Sequence, residues 1–361
     1  MLTRKIARAI VRETSRRIHR NVNIMDVGGR IIATKDKSRM DSLHEGALHV
    51  LESGEPLLIH PDDSGTWEGA QPGINLPILF KNEIIGVIGI TGDPAEMEDI
   101  GALVKMTTEL MIRQEDIASQ LEWKQRTTDM VIEQLLSKEP SYSDIERGLG
   151  RLDFQLTPPF LGILIEISDW TVSSRVLVER LENNLGTRKC LIGFTNIHRL
   201  FIGITDFASE QAGKMITSIQ ETMHDLNVPF RLSYSLPFPA IEGFHQSYLD
   251  CDLALRLSNA DKEIIPFTQM EVKALIHQLE PVMADRFSSR VLQNLDQTKR
   301  STLKSFFEQN LNIQKTAESL YVHRNTLIYR INKIMEETGY DPRCFEDALI
   351  LQVALWVEER E

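Results

Sequence analysis

The first ninety residues alternate between short apolar runs and turn residues, a pattern typical of β-hairpins. NVNIMDV and RIIAT flank Gly28-Gly29, and PGINLPILF and EIIGVIGIT flank Lys81-Asn82. Between the two predicted hairpins, a helix is expected from about Ser42 to Glu52. A further amphipathic helix is predicted at the N-terminus, with three residues facing inward: Leu2, Ile6 and Ile10.

The helix after these strands has a well-marked start. Asp93-Pro94-Ala95-Glu96 supplies an N-cap, a first-turn proline and a capping-box glutamate, and the helix is expected to run towards Leu136. Its apolar residues alternate three and four apart, as in a coiled-coil seam: Met97, Ile100, Val104, Thr107 and Met111. We interpret residues 1–135 as a small sensor domain of PAS or GAF type that ends in a dimerising signalling helix. The alternative is a helix packed on its own sheet, and the two interpretations can also apply to different parts of the helix.

Residues 140–270 contain four more apolar runs, FLGILIEI, KCLIGF, RLFIGI and FRLSYSLP. With a hairpin around Thr195-Asn196 and helices between the other runs, their order is βαββαβ, which predicts a ferredoxin-like domain. Residues 281–361 show only helical periodicity. The predicted fold class is therefore α+β, with several domains.

Composition agrees with a soluble multidomain protein. The chain has 361 residues, of which 42% are hydrophobic and 25% charged, and no apolar run is long enough to span a membrane. Cys190, Cys251 and Cys344 have no metal-binding or disulfide spacing, which suits a reducing cytoplasm. No metal and no cofactor is expected. The basic first twenty residues also fit a mitochondrial presequence, but an ordinary N-terminal helix is the favoured interpretation.

One segment carries a charge opposite to that of the whole chain. The net charge is −12, yet Lys299 to Met335 holds seven lysines and arginines against two glutamates, 7 − 2 = +5. Within it, AESLYVHRNTLIYRINKI predicts a helix-turn-helix, with Ala317 at the closest approach of the two helices. Five apolar residues would form its core: Leu320, Val322, Leu327, Ile331 and Ile334.

The opposite face of the second helix has the side chains that read DNA. Amides pair with adenine, hydroxyls with several bases, and arginine with guanine or phosphate. Tyr321 stands where a generic helix-turn-helix often has glycine. The alternatives are a basic surface helix or a protein-docking surface. The predicted DNA contacts are Arg324, Asn325, Thr326, Tyr329, Arg330 and Lys333.

Two motif sets resemble known families. The run from His323 has the H-R-N-T-L-x-Y-R core and the later T-G and L-Q-x-A-L of the purine-catabolism-regulator helix-turn-helix. Asn23-Ile24-Met25, Arg39 with His44, and Asn75-Leu76-Pro77-Ile78 resemble the sugar-diacid recognition domain, as does GVIGITG. The whole chain resembles the bacterial carbohydrate diacid regulators. It departs from them locally, at Thr34-Lys35 and at Asp41.

This resemblance implies a cytoplasmic one-component transcriptional activator. The partners would be operator DNA, RNA polymerase and a small hydroxy acid (glycerate, or a sugar diacid such as glucarate or galactarate), and the protein would be a homodimer or higher homo-oligomer. Arg39 is expected at a helix start, where free N–H groups favour an anion, with His44 one turn further on. The alternative for Arg39 is a solvated charge in a loop, and the alternative for His44 is a histidine at the edge of the core, bonded to the backbone. The implied ligand-binding residues are Asn23, Arg39, His44, Gly46, Asn75 and Thr91.

Other motifs indicate no catalytic centre. The middle domain resembles a degenerate GGDEF-like cyclase domain, but its hairpin reads Phe194-Thr195-Asn196-Ile197-His198, without the carboxylates that hold a metal. The resemblance leaves a nucleotide-binding or nucleotide-cyclising enzyme as the alternative function. Because the carboxylates are missing, no enzyme is expected. His44 and His49 are five apart, so they do not form a zinc-peptidase pair. The glycines of GVIGITG lie within a strand, which favours close packing of a helix or a ligand.

Overall fold

The computed structural model describes residues 2–63 and 65–360. The chain forms two compact units, Met1–Arg126 and Thr127–Glu361. Both units contain a mostly antiparallel sheet with helices, and the second unit ends in helices alone. The predicted α+β fold class is confirmed.

The first unit is built on a five-stranded antiparallel sheet of order β2-β1-β5-β4-β3. Lys81 and Asn82 both have positive φ, 52° and 66°, which is the backbone of a tight hairpin turn. Both predicted hairpins are present, and the short strand β3 is an addition to them. The elements are α1 (Arg4–Ile18), β1 (Val22–Met25), β2 (Ile31–Thr34), a 3₁₀ turn (Lys37–Arg39), α2 (Glu45–Ser53), β3 (Leu57–Ile59), a second 3₁₀ turn (Pro61–Asp63), β4 (Gly73–Phe80), β5 (Glu83–Thr91) and α3 (Pro94–Leu136), whose residues after Arg126 belong to the second unit.

The residues predicted as a coiled-coil seam on α3 mostly face the protein's own sheet. Met97 and Val104 are buried with Ile112 in the core that α1 and the sheet share, and Ile100 and Met111 pack against that core. The interpretation of these residues as a dimer seam is therefore wrong. Burying them against the sheet removes their apolar surface from water, which is what a partner helix would otherwise do.

Helix α2 begins at Glu45 rather than Ser42. The backbone before it is bonded to β2 instead of forming a helix, because Ile31 N–H donates to Ser42 O at 3.1 Å and Asp41 N–H donates to Ile31 O at 3.0 Å. Pairing with β2 thus continues as far as the bridge between Arg30 and Leu43, and helical geometry becomes available only after it.

The second unit opens with a ferredoxin-like domain. The strand order β9-β6-β8-β7 is that of the predicted βαββαβ motif, and β10 adds a parallel strand beside β9. The elements are α4 (Tyr142–Leu152), β6 (Leu161–Ile167), α5 (Ser174–Leu185), β7 (Cys190–Asn196), β8 (Arg199–Ile204), a 3₁₀ turn (Ser209–Gln211), α6 (Ala212–Asp225), β9 (Phe230–Tyr234), α7 (Gly243–Leu257), β10 (Ile264–Pro266) and α8 (Phe267–His277).

The remainder of the second unit is helical. Its core is formed by apolar residues such as Leu303, Ile334 and Leu351, and a smaller cluster around Phe306 and Leu327 joins the helix-turn-helix to it. None of the described helices has the length and apolarity needed to cross a bilayer. The elements are α9 (Pro281–Leu292), α10 (Gln297–Glu308), α11 (Ile313–Ser319), α12 (Arg324–Thr338) and α13 (Phe345–Glu358).

Candidate functional site

A small polar cavity of about 10 Å³ is lined by residues of the three central strands of the first unit's sheet. That volume is roughly the room needed for one water. Gly46, also predicted for this site, does not line the cavity, because it packs in α2 against Ile59 and Leu57. Five of the six predicted ligand-binding residues do line it, together with four others: Asn23, Arg39, His44, Asn75 and Thr91, with Gln71, Ile74, Gly89 and Ile90.

The floor of the cavity is a row of residues across three strands. Asn23 on β1 and Asn75 on β4 are both register partners of Gly89 on β5, so the two amides flank a glycine. Both asparagines are buried, at 2% and 3% exposure. A Cβ at Gly89 would lie 2.7 Å from Asn75 Oδ1. Gly89 therefore provides the space between the two amides, and its position within GVIGITG was the sequence signal for it.

Arg39 is a half-buried cation whose hydrogen-bond partners are neutral. Its Nη2 donates to Gly69 O at 2.5 Å and its Nη1 donates to Gln71 Oε1 at 3.1 Å. Within the described residues, no carboxylate lies within the 4.0 Å of a salt bridge to it. Burial lowers the pKa of the guanidinium, and the charge of Asp36 partly opposes this. Arginine stays protonated in proteins, so the cavity carries a positive charge that lacks a paired anion.

His44 is held neutral and in one orientation. It is 3% exposed and caps α2, with Nδ1 accepting from Ala47 N–H at 3.1 Å. Burial, followed by the charge of Arg39, lowers the pKa of His44 to about 4. Because Nδ1 is the acceptor, we assign the proton of the neutral ring to Nε2, which makes the ring a donor.

The expected anion site at the start of α2 is wrong in its geometry. Arg39 lies in the 3₁₀ turn Lys37–Arg39 and His44 is the N-cap, so neither residue stands where the sequence placed it. Two of the first-turn donors are also occupied, since Glu45 N–H donates to Glu68 O at 3.1 Å and Ala47 N–H donates to His44. The positive charge at this site therefore comes from Arg39 and not from the helix start.

The second candidate site is the helix-turn-helix of α11 and α12. Ala317, Leu327, Ile331 and Ile334 are buried as predicted. His323 caps α12, with Nδ1 accepting from Asn325 N–H at 3.2 Å. Tyr321 in the turn has a φ of 53° and is 96% exposed.

The six predicted DNA contacts differ in how freely they face solvent. Arg324, Asn325, Thr326 and Tyr329 are exposed on the outward side of α12. Arg330 is only half-exposed, with Nη1 3.4 Å from Thr302 Oγ1. Lys333 pairs with Glu336 at 2.6 Å. The first four therefore form the accessible surface, and the last two are partly engaged within the domain.

The local charge of +5 is reduced by carboxylates from outside the sequence window. Lys299 pairs with Glu337 at 2.7 Å and Lys304 with Glu359 at 2.7 Å, and Arg300 pairs with Glu358. Among the described residues, three cations of the window have no carboxylate within 4.0 Å: Lys315, Arg324 and Arg330.

The carboxylates near the hairpin of the middle domain are paired with arginines of the same domain. Glu166 on β6 accepts from Arg199 and from Arg231, both at 3.3 Å. Arg199 also bonds to Asp252 on α7 at 2.5 Å. These ion pairs join three strands and a helix, which is a structural use of the charges.

In a comparison with known proteins, three family models match successive parts of the chain. The family model described as sugar diacid recognition matches residues 2–135. A GGDEF-like domain matches residues 137–257, and the PucR C-terminal helix-turn-helix domain matches residues 300–357. The carbohydrate diacid regulator of Escherichia coli (strain K12) is 30% identical over 99% of this chain and 98% of its own length. The chain belongs to the carbohydrate diacid regulator family.

Two further proteins are similar to more than half of this chain. The protein YsfB of Bacillus subtilis (strain 168) is 27% identical to this regulator, over 99% of this chain and 98% of its own length. A crystal structure of a regulator of polyketide synthase expression from Bifidobacterium adolescentis has a TM-score of 0.35 and 18% identity, covering 64% of this chain and 91% of that chain.

Proposed function

We propose that this regulator is a cytoplasmic, non-enzymatic transcriptional activator. In the proposal, the cavity of the first unit opens from its present size, about that of one water, to bind a small hydroxy acid, either glycerate or a sugar diacid such as glucarate or galactarate. Helix α12 binds operator DNA, and the protein acts as a homo-oligomer in contact with RNA polymerase. Family membership and the helix-turn-helix support the regulatory role.

The unpaired charge of Arg39 is the observation that supports an acidic ligand. A half-buried guanidinium bonded only to Gly69 O and the Gln71 amide gains from an incoming carboxylate, because charge-assisted bonds are stronger than neutral ones. The same carboxylate would displace two bonds that tie Arg39 to residues 69 and 71. The ligand would thereby change how this segment is held.

The neutral groups of the cavity suit the hydroxyls of such an acid. Asn23, Asn75 and Thr91 each donate and accept hydrogen bonds, and neutral His44 donates from Nε2. A site made of one cation and several neutral groups favours a compact, hydroxylated anion over an apolar one.

Calorimetry tests this proposal with glycerate, glucarate and galactarate. Arg39→Ala should weaken the best ligand at least tenfold, about 1.4 kcal/mol, because it removes the cavity's cation. Lys37→Ala is the matched control, since Lys37 is an exposed cation of the same 3₁₀ turn. Equal affinities of the wild type and Arg39→Ala would place the ligand elsewhere.

Operator binding is tested separately, on duplexes selected from a random pool by the full-length protein. We expect binding to be salt-dependent and retained by Arg39→Ala in the absence of ligand. A selection that yields no enriched sequence would argue against the regulatory proposal. Its outcome is independent of the calorimetry.

A further inference from the structure

Helix α3 has a second apolar stripe, on the side away from the sheet. Its members belong to the first unit and lie before residue 126. Large exposed apolar stripes on soluble proteins mark interaction surfaces. The five side chains are between 38% and 59% exposed: Leu103, Met106, Leu110, Ile117 and Leu121.

The spacing of the stripe selects a helix as its partner. Leu103, Leu110 and Ile117 are seven residues apart. Gln114 follows Leu110 by four residues, and Leu121 follows Ile117 by four. This is the 3.5-residue repeat that packs one helix along another. The stripe covers 18 steps, about 27 Å at 1.5 Å per residue, so the partner must be a long helix.

We propose that the partner is α3 of a second copy of this chain, lying parallel to the first. Helix α3 has 43 residues, and none of the other described helices exceeds 15. A second copy offers a helix of matching length with the same repeat. This inference rests on the proposed homo-oligomer and names its surface, which differs from the seam expected from the sequence.

Gln114 favours the parallel orientation. In a parallel pair, equivalent residues face each other, so the two Gln114 amides can donate and accept reciprocally. In an antiparallel pair that overlaps along the whole stripe, Gln114 would face the apolar Leu110 and its amide would be buried without a partner. A polar residue at a seam position fixes register in this way.

Sedimentation of the full-length protein at micromolar concentration tests the surface. The wild type should be a dimer, and Leu110→Glu should weaken its association at least a hundredfold. Ser119→Glu is the matched control, because Ser119 is exposed on the same helix but projects away from the stripe. A monomeric wild type, or a Leu110→Glu variant as dimeric as the control, would overturn the proposal.

Cross-linking tests the orientation and does not require a folded glutamate variant. Single cysteines replace Leu103 or Leu121, the two ends of the stripe, in a Cys344→Ser background, because Cys190 and Cys251 are buried. A disulfide needs Cα atoms about 4.4–6.8 Å apart, so a parallel pair should cross-link in each variant alone. Cross-linking only in a mixture of the two variants would show an antiparallel pair, and no cross-linking at all would remove the stripe from the interface. Both experiments omit DNA and ligand, so a failure of the proposed regulatory function leaves their outcome unchanged.

Discussion

The cavity of the first unit and the surface of α12 both depend on arginine, but they treat its charge in opposite ways. Around α12, carboxylates pair with four of the seven cations between Lys299 and Met335, and Arg324 remains exposed to solvent. In the cavity, Arg39 is half-buried among neutral groups. Charges interact more strongly where water is excluded. The cavity should therefore depend on a few groups with large effects, and the DNA surface on several groups with small ones.

The largest expected difference concerns pH and the buried histidine. The pKa of His44 is about 4 in the folded protein against 6.5 for a free histidine, so between these values the unfolded chain binds more protons. Stability should fall as the pH is lowered from about 6.5 to 4, by at most about 1.4 kcal/mol per unit and about 3 kcal/mol in total. Asn also caps helices well, so His44→Asn should keep the cap and lose this dependence.

Hydrogen exchange of the α2 amides between pH 4 and 7.5, corrected for intrinsic rates, measures this effect. His44→Ala is the second variant, since it removes both the cap and the titration and should be less stable at every pH. Parallel pH profiles for the wild type and His44→Asn would mean that His44 is not buried in its neutral form. The electrostatic contrast between the two regions would then be smaller than the structure indicates.

An intermediate effect is expected on the DNA surface. Arg324→Ala should cost about 1–3 kcal/mol of specific binding and reduce the slope of log affinity against log salt by about 1. Lys333→Ala should cost less, because Lys333 already pairs with Glu336 at 2.6 Å. Fluorescence anisotropy on a selected duplex at several salt concentrations measures both values. Equal losses from the two variants would show that the pairing of Lys333 is broken on DNA.

How far the sequence predicts each region depends on how local the structure is. The helix-turn-helix lies within one continuous segment, so helical spacing alone indicated that Leu327, Ile331 and Ile334 are buried and that Asn325 is exposed. The charge of this segment was predicted less well. Glu358 and Glu359, which neutralise two of its cations, lie at the C-terminal end of α13, outside the segment from Lys299 to Met335.

The cavity required information that spacing does not contain. Asn23, Gly89 and Asn75 become neighbours through strand register, and only the family resemblance had linked the two asparagines in sequence. The start of α2 was misplaced because residues 41–43 pair with β2, a tertiary contact that overrides local helical propensity. Gln71 was missed because it lies in a loop without a motif, although it holds Arg39.

The smallest expected effect concerns the turn before α12, where Tyr321 has a φ of 53° and is 96% exposed. A left-handed backbone costs a residue with a side chain about 1–2 kcal/mol, whereas glycine adopts it freely but adds entropy to the unfolded chain. Since the exposed ring contributes little packing, Tyr321→Gly should stabilise the helix-turn-helix by up to about 1 kcal/mol. Tyr321→Ala keeps a Cβ and should give no gain. Hydrogen exchange of the α12 amides in the full chain measures the difference, and anisotropy on the selected duplex shows whether the ring also contacts DNA. Stabilisation with unchanged affinity would confine DNA recognition to α12, while a loss of affinity in both variants would extend the surface to the turn.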